Sequence, residues 1–205
     1  LGEGRQIVDL LIDCNLEETA SDTVSSNVKT LFGLPYTILH PDFETYNKKP
    51  RNFPPTIKSA LVTLGGTDPK NLTAPLAKLL LEQNTSLAIT VLTGPGFRDW
   101  QALEKLQFTW SQLQIRHNIS NMAETLFAHD VVFCSGGITL HEALTTGTPA
   151  FVLNQVPHQE KKARYFENLG AAMNLGLADN WSDQLVVTQA LSLRQAQLES
   201  MSQIG

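Results

Sequence analysis

From Ala60 to Asn174 the sequence alternates short, continuously apolar runs with longer segments of helical spacing. That alternation constrains the fold more than any other feature of the chain. The apolar runs are Ala60 to Leu64, Leu87 to Leu92, Val131 to Phe133 and Ala150 to Leu153, with shorter strand candidates at Leu113 to Arg116 and Ala172 to Asn174. Between them lie the helical segments Asn71 to Glu82, Asp99 to Leu106, Met122 to Ala128, Thr139 to Thr145 and Gln159 to Leu169. Strands that are apolar at every position are covered on both faces, as in a parallel sheet built from βαβ units. The expected class is α/β, a doubly wound parallel sheet of Rossmann-like type. In such folds ligands bind outside the carboxyl ends of the strands, near the point where strand order reverses. The loops that follow strands are therefore where chemistry is sought.

Composition narrows the function further. A formal net charge of −5 over 205 residues disfavours a general electrostatic grip on nucleic acid. No apolar run is long enough to span a bilayer. The two cysteines, Cys14 and Cys134, form neither a disulfide framework nor a metal cluster and fit a reducing, cytoplasmic setting. The stretch from Asn47 to Thr56 holds three prolines and three basic residues without apolar periodicity, which predicts a linker. The expected organisation is thus residues 1–56 as the end of one domain plus linker, and 57–205 as a Rossmann-like domain. The first residue is Leu1, and the chain stops inside a predicted helix from Gln184 to Gln203, so both ends read as cuts within a longer protein.

Four loops carry candidate residues. In Cys134-Ser135-Gly136-Gly137-Ile138-Thr139-Leu140-His141-Glu142, two glycines follow a strand and open a helix. Glycines permit a tight turn and leave amides open to a ligand, and the helix start offers unpaired N–H groups and the positive end of its dipole. This arrangement holds pyrophosphate without a lysine. Glu142, about one turn into the helix, is placed to accept from two ribose hydroxyls. A glycine-permitted turn with a solvated Glu142 satisfies the same pattern. In Leu64-Gly65-Gly66-Thr67-Asp68-Pro69-Lys70, Asp68 suits a helix cap and Pro69 a first helical position, while Gly66 and Thr67 are candidates to face a phosphate or sugar. Asn154-Gln155-Val156-Pro157-His158-Gln159 presents amides and an imidazole able to bond sugar hydroxyls. In Asn118-Ile119-Ser120-Asn121-Met122, Ser120 or Asn121 fits an N-cap, and an extended Ile119 can offer its backbone to a base edge, with Met122 as an apolar wall. His141-Glu142 lacks a second ligand at helical spacing and is not a metal motif. Cys134 lacks a cationic partner and is expected to pack rather than react. Neither a P-loop nor a GxGxxG fingerprint is present.

These motifs together resemble the C-terminal domain of GT-B enzymes, across Ile119 to Gly170. The pattern is similar to the enzyme that adds N-acetylglucosamine to the peptidoglycan lipid precursor. It is closer still to the UDP-sugar hydrolase of pseudaminic acid synthesis and to the predicted glycosyltransferases of spore-coat polysaccharide synthesis. In that group the first glycine loop commonly reads like residues 65–73 here, and Gly33 to Phe43 resembles the stretch before it. The resemblance implies that Ser135, Gly136, Gly137, Ile138 and Thr139 surround the pyrophosphate and that Glu142 holds the ribose. It implies Ile119 at the uracil edge with Met122 nearby, His158 and Gln159 at the donor sugar or phosphates, and Gly66 and Thr67 along the interdomain cleft. Gln155 competes with Gln159 for the family's single glutamine match. It further implies a UDP-sugar as ligand, no cofactor and no metal, and an N-terminal domain of the same protein as partner, supplying the catalytic groups. A nucleotide-sugar epimerase and a non-catalytic binding domain are the other functions such a chain can serve.

Overall fold

The computed structural model describes residues 7–14, 28–181 and 184–205. The chain divides into two compact units, Leu1–His40 and Pro41–Gly205. In the first, β1 (Leu10–Asp13) pairs in parallel with β2 (Lys29–Phe32). The second unit carries the expected sheet. Its strands are β3 (Ser59–Thr63), β4 (Ala88–Thr93), β5 (Leu113–His117), β6 (Val131–Cys134), β7 (Ala150–Asn154) and β8 (Ala172–Leu177). All pair in parallel, in the order β5-β4-β3-β6-β7-β8. Counted from β3 this is the 3-2-1-4-5-6 order of the doubly wound fold, which reverses between β3 and β6.

The helices of this unit are α1 (Asp42–Asn47), α2 (Thr73–Gln83), α3 (Trp100–Thr109), α4 (Met122–Phe127), α5 (Ile138–Thr145), α6 (Pro157–Leu169), α7 (Gln184–Ser192) and α8 (Gln195–Ile204). Strand periodicity sends alternate side chains to opposite faces. Ala60, Val62 and Leu64 join Ile89, Val91, Phe133 and Phe151 in one core with Leu76 and Leu80 of α2, Leu103 of α3, Val187 of α7 and Leu198 of α8. Leu61, Val132 and Val152, equally buried, point to the other face. Their burial on both sides is what the unbroken apolar runs encode.

Three local expectations are corrected. The terminal helix is two helices, because Arg194 is extended (φ −106, ψ 165) and its backbone pairs with Thr56. Its N–H is caught by Gln197 Oε1 at 3.0 Å, which starts α8 afresh. Pro69 is not a first helical position, since α2 begins at Thr73. Asp68 still serves that helix from a distance, accepting from Leu72 N at 3.1 Å and Thr73 N at 2.8 Å. The basic, proline-rich stretch belongs to the second unit, and Phe53 within it is buried. Arg51 donates to His129 O at 2.6 Å, Thr148 Oγ1 at 2.9 Å and Thr146 O at 3.4 Å. It thereby serves the carbonyl ends of both α4 and α5, where a cation complements the dipole. Burial lowers the Arg51 guanidinium to about 10, with Asp130 opposing the shift. The N-cap of α4 is Asn121, whose side chain accepts from Glu124 N at 2.8 Å.

Candidate functional site

A cleft of about 320 Å³ opens at the carboxyl ends of β3, β4 and β5. Gly66, Ile119, Met122, Thr139 and Glu142, drawn from three separate sequence segments, all line it. Each arrives by a definable device. Asn118 takes a left-handed conformation (φ 54) at the end of β5, which turns the chain so that Ile119 and Met122 enter the wall. Thr139 and Glu142 stand three residues apart on α5 and so share a face.

The glycine turn after β6 divides its tasks. Gly136 is buried, and a Cβ there would lie 2.7 Å from Asn154 Oδ1 and 2.8 Å from Gln159 O. Its missing side chain is thus used for packing, and any ligand contact from Gly136 is by backbone alone. Gly137 is half-exposed with nothing closer than 3.8 Å to its built Cβ, and as N-cap of α5 it has no side-chain cap. The first N–H groups of α5 are therefore not taken by a capping side chain, and Ile138 beside them is 47% exposed. Ser135 is buried, its Oγ 3.7 Å from where a Cβ on Gly65 would stand.

Electrostatics favours different tasks for neighbouring groups. Burial lifts the Glu142 carboxyl above the ordinary carboxylate range, opposed by a hydrogen bond with the Thr139 side chain. Burial pushes the Cys134 thiol up to about 12, and the charge of Glu142 adds to it, so the thiolate is disfavoured. Cys134 packs, as its place on a buried strand predicts. Burial lowers His141 to about 4, assisted by Lys162, and its ring stands edge-on to Phe166. It is a neutral core group, not a titrating one near neutrality.

The two glutamines of the β7–α6 loop separate. Gln155 is buried and donates to Asp68 Oδ1 at 2.9 Å. Gln159 accepts from Gln155 N through Oε1 at 2.8 Å, while its Nε2 lies 4.0 Å from the built Cβ of Gly137. His158 is exposed on the first turn of α6, and Thr67 is exposed beside Gly66. Sequence reasoning passed over Leu92, Thr93, Gly94 and Pro95, which form the cleft wall on the β4 side. The signal was the Gly94-Pro95-Gly96 punctuation after an apolar run. Thr93 Oγ1 lies 3.1 Å from His117 Nδ1, and Trp100 meets that imidazole edge-on.

Fold and strand order define the Rossmann-like C-terminal domain of GT-B architecture. The model of the glycosyltransferase family 28 C-terminal domain matches residues 60–204, and the chain belongs to that family. Over 171 residues it is 30% identical to the spore coat polysaccharide biosynthesis protein SpsG of Bacillus subtilis (strain 168), covering 81% of this chain and 49% of that protein. Over 154 residues it is 30% identical to the uncharacterized protein MJ1062 of Methanocaldococcus jannaschii, covering 73% and 32%. The chain thus spans about half the length, or less, of these curated relatives. Among solved structures it superposes on WaaG, a glycosyltransferase involved in lipopolysaccharide biosynthesis, with TM-score 0.60 and 17% identity over 94% of this chain and 57% of that one. Arabidopsis thaliana UGT89C1 complexed with UDP-L-rhamnose gives 0.60 and 10%, covering 98% and 54%. The spinosyn rhamnosyltransferase SpnG complexed with thymidine diphosphate gives 0.54 and 16%, covering 88% and 46%. At these identities the likeness concerns the fold. Among the described residues no helix is long and apolar enough to cross a membrane.

Proposed function

We propose that the cleft binds the nucleoside diphosphate of a UDP-sugar, and that the whole protein transfers that sugar in cell-surface polysaccharide or nonulosonic sugar synthesis. The observation that carries this reading is the convergence of Ile119, Met122, Thr139 and Glu142 on one cleft, with Gly137 half-exposed at the start of the helix that carries Thr139 and Glu142. Uracil lies against Ile119 and Met122. The ribose hydroxyls donate to Glu142. The diphosphate meets the N–H groups of Gly137 and Ile138, and Gln159, His158, Gly66 and Thr67 face the sugar and phosphates. Ser135 and Gly136 support the turn from beneath.

In the reaction an acceptor oxygen attacks the anomeric carbon and the bond to the bridging phosphate oxygen breaks. The bond's electron pair stays on that oxygen, and UDP leaves. The amides at the start of α5 stabilise the growing negative charge. The acceptor's proton goes to a general base, which we place in the portion of the relatives that this chain does not span. Transfer is favoured over hydrolysis by the glycosyltransferase family to which the chain belongs. The protein is expected to work in the cytoplasm, with its own N-terminal domain as partner.

Calorimetry on the full-length protein with UDP, ADP and GDP tests the reading. UDP is expected to bind at least about tenfold more tightly than either purine nucleotide, a difference of roughly 1.4 kcal/mol. Equal binding of all three would refute it. Release of free sugar at full rate without any acceptor would turn the assignment from transferase to hydrolase, and appearance of an epimerised UDP-sugar would turn it to epimerase.

A further inference from the structure

Asp68 and Gln155 make a buried contact for which neither the family's nucleotide site nor helix capping accounts. Asp68 is 1% exposed and left-handed (φ 42), and its carboxylate takes three donors: Leu72 N, Thr73 N and Gln155 Nε2. The first two start α2. The third arrives from the loop after β7, two strand positions from β3 with β6 between them. Gln155 is 5% exposed. An amide that donates to a buried carboxylate on a loop two strand positions away ties the loops after β3 and β7 together across β6. The placement of the Asp68 carboxylate is what the bond secures.

Between that bond and a second anchor sit Gly66, which lines the cleft, and Thr67. Gly66 O accepts from Gly96 N at 2.9 Å on the β4 side. Thr67, exposed, therefore lies between two pinned neighbours, Gly66 and Asp68. We propose that Gln155 is a positioning residue: through Asp68 it fixes Gly66 and Thr67 in the loop after β3, and so sets the geometry of the sugar-diphosphate end of the site. The nucleoside end is held by other elements, Ile119, Met122 and Glu142, none of which touches this bond. The inference rests on the UDP-sugar reading of the cleft.

The test is Gln155→Met in the full-length protein, with three measurements beside wild type. The thioether fills the space and leaves Asp68 its two backbone donors. Melting temperature is expected to fall modestly, as for one lost hydrogen bond to a buried carboxylate. Affinity for UMP, which carries the nucleoside end, is expected to stay within about twofold, while kcat with the UDP-sugar falls about tenfold or more, the scale of one lost hydrogen bond to a charged group. Unchanged kcat, or equal losses in UMP affinity and kcat, would overturn the proposal. A drop in melting temperature with parallel loss of UMP binding would also overturn it, as marking a merely structural bond. If wild type itself binds neither UMP nor UDP, the cleft reading fails, an outcome distinct from a failure seen only in the variant.

Discussion

Gly94 and Gly66 are in such close contact that a Cβ on Gly94 would lie 2.4 Å from Gly66 Cα and 2.7 Å from Gly66 O. The loops after β3 and β4 therefore interlock by backbone, and no side chain can intervene. Gly94→Ala is expected to push Gly66 toward the cleft. Overpacking of this kind costs about 1–3 kcal/mol. Because both glycines line the cleft, UDP affinity falls in the same variant. Denaturant unfolding and calorimetry on one preparation check both effects. Wild-type stability in Gly94→Ala would show that the loops give way freely.

The two glycines of the β6–α5 turn should respond oppositely to the same change. Gly136→Ala brings a methyl to 2.8 Å from Gln159 O, a backbone atom that cannot swing aside, so the cost falls on stability, again about 1–3 kcal/mol. Gly137 has φ −83 and ψ −149, outside the broad extended region, but it has space where a Cβ would stand. Gly137→Ala is expected to lose less stability than Gly136→Ala but to bind UDP roughly ten- to a hundredfold more weakly, because the methyl enters the diphosphate's place. Thermal melts and UDP titrations of the pair separate the roles, and a stable Gly136→Ala with a destabilised Gly137→Ala would reverse the assignment.

Glu142 sets stability against binding. Its raised carboxyl pKa means that the folded state holds the proton more tightly than the unfolded one. Its favourable contribution is therefore present below the ordinary carboxylate range and is lost as pH rises through the raised value. At neutral pH the ionised group costs folding free energy. Glu142→Gln is expected to melt higher than wild type at pH 7 and the same at pH 4. The same variant should bind UDP about ten- to a hundredfold more weakly at pH 7, the scale of hydrogen bonds to a charged acceptor. UDP affinity of the wild type should fall as pH drops through the raised Glu142 value. A pH-independent affinity would remove Glu142 from the ribose.

Much of this was legible in the sequence, for physical reasons that differ by residue. The strands of the central sheet were readable because burial on both faces leaves no polar position in Val131 to Cys134 or Ala150 to Leu153. The glycine loops were visible because turns after strands need small residues. The break between α7 and α8 was not, because it depends on Thr56, distant in sequence, pairing with Arg194. Nor was the fit of the Arg51 segment, since three prolines suggest a free connector whatever carbonyls wait for its guanidinium. The partition of Gln155 from Gln159 was likewise unreadable: two glutamines four residues apart look alike until one of them finds Asp68. Glu142 was chosen from spacing on a helix, but its burial depends on what surrounds the cleft.

The central claim is that the diphosphate rests on the open amides at the start of α5. Amide resonances of the full-length protein, labelled with 15N-glycine and 15N-isoleucine and titrated with UDP, test it most directly. Gly137 and Ile138 are expected to shift saturably with the largest changes among the assigned peaks, while Gly147 and Gly170, on the far ends of α5 and α6, stay in place. Saturable binding that leaves Gly137 and Ile138 unmoved would contradict the account.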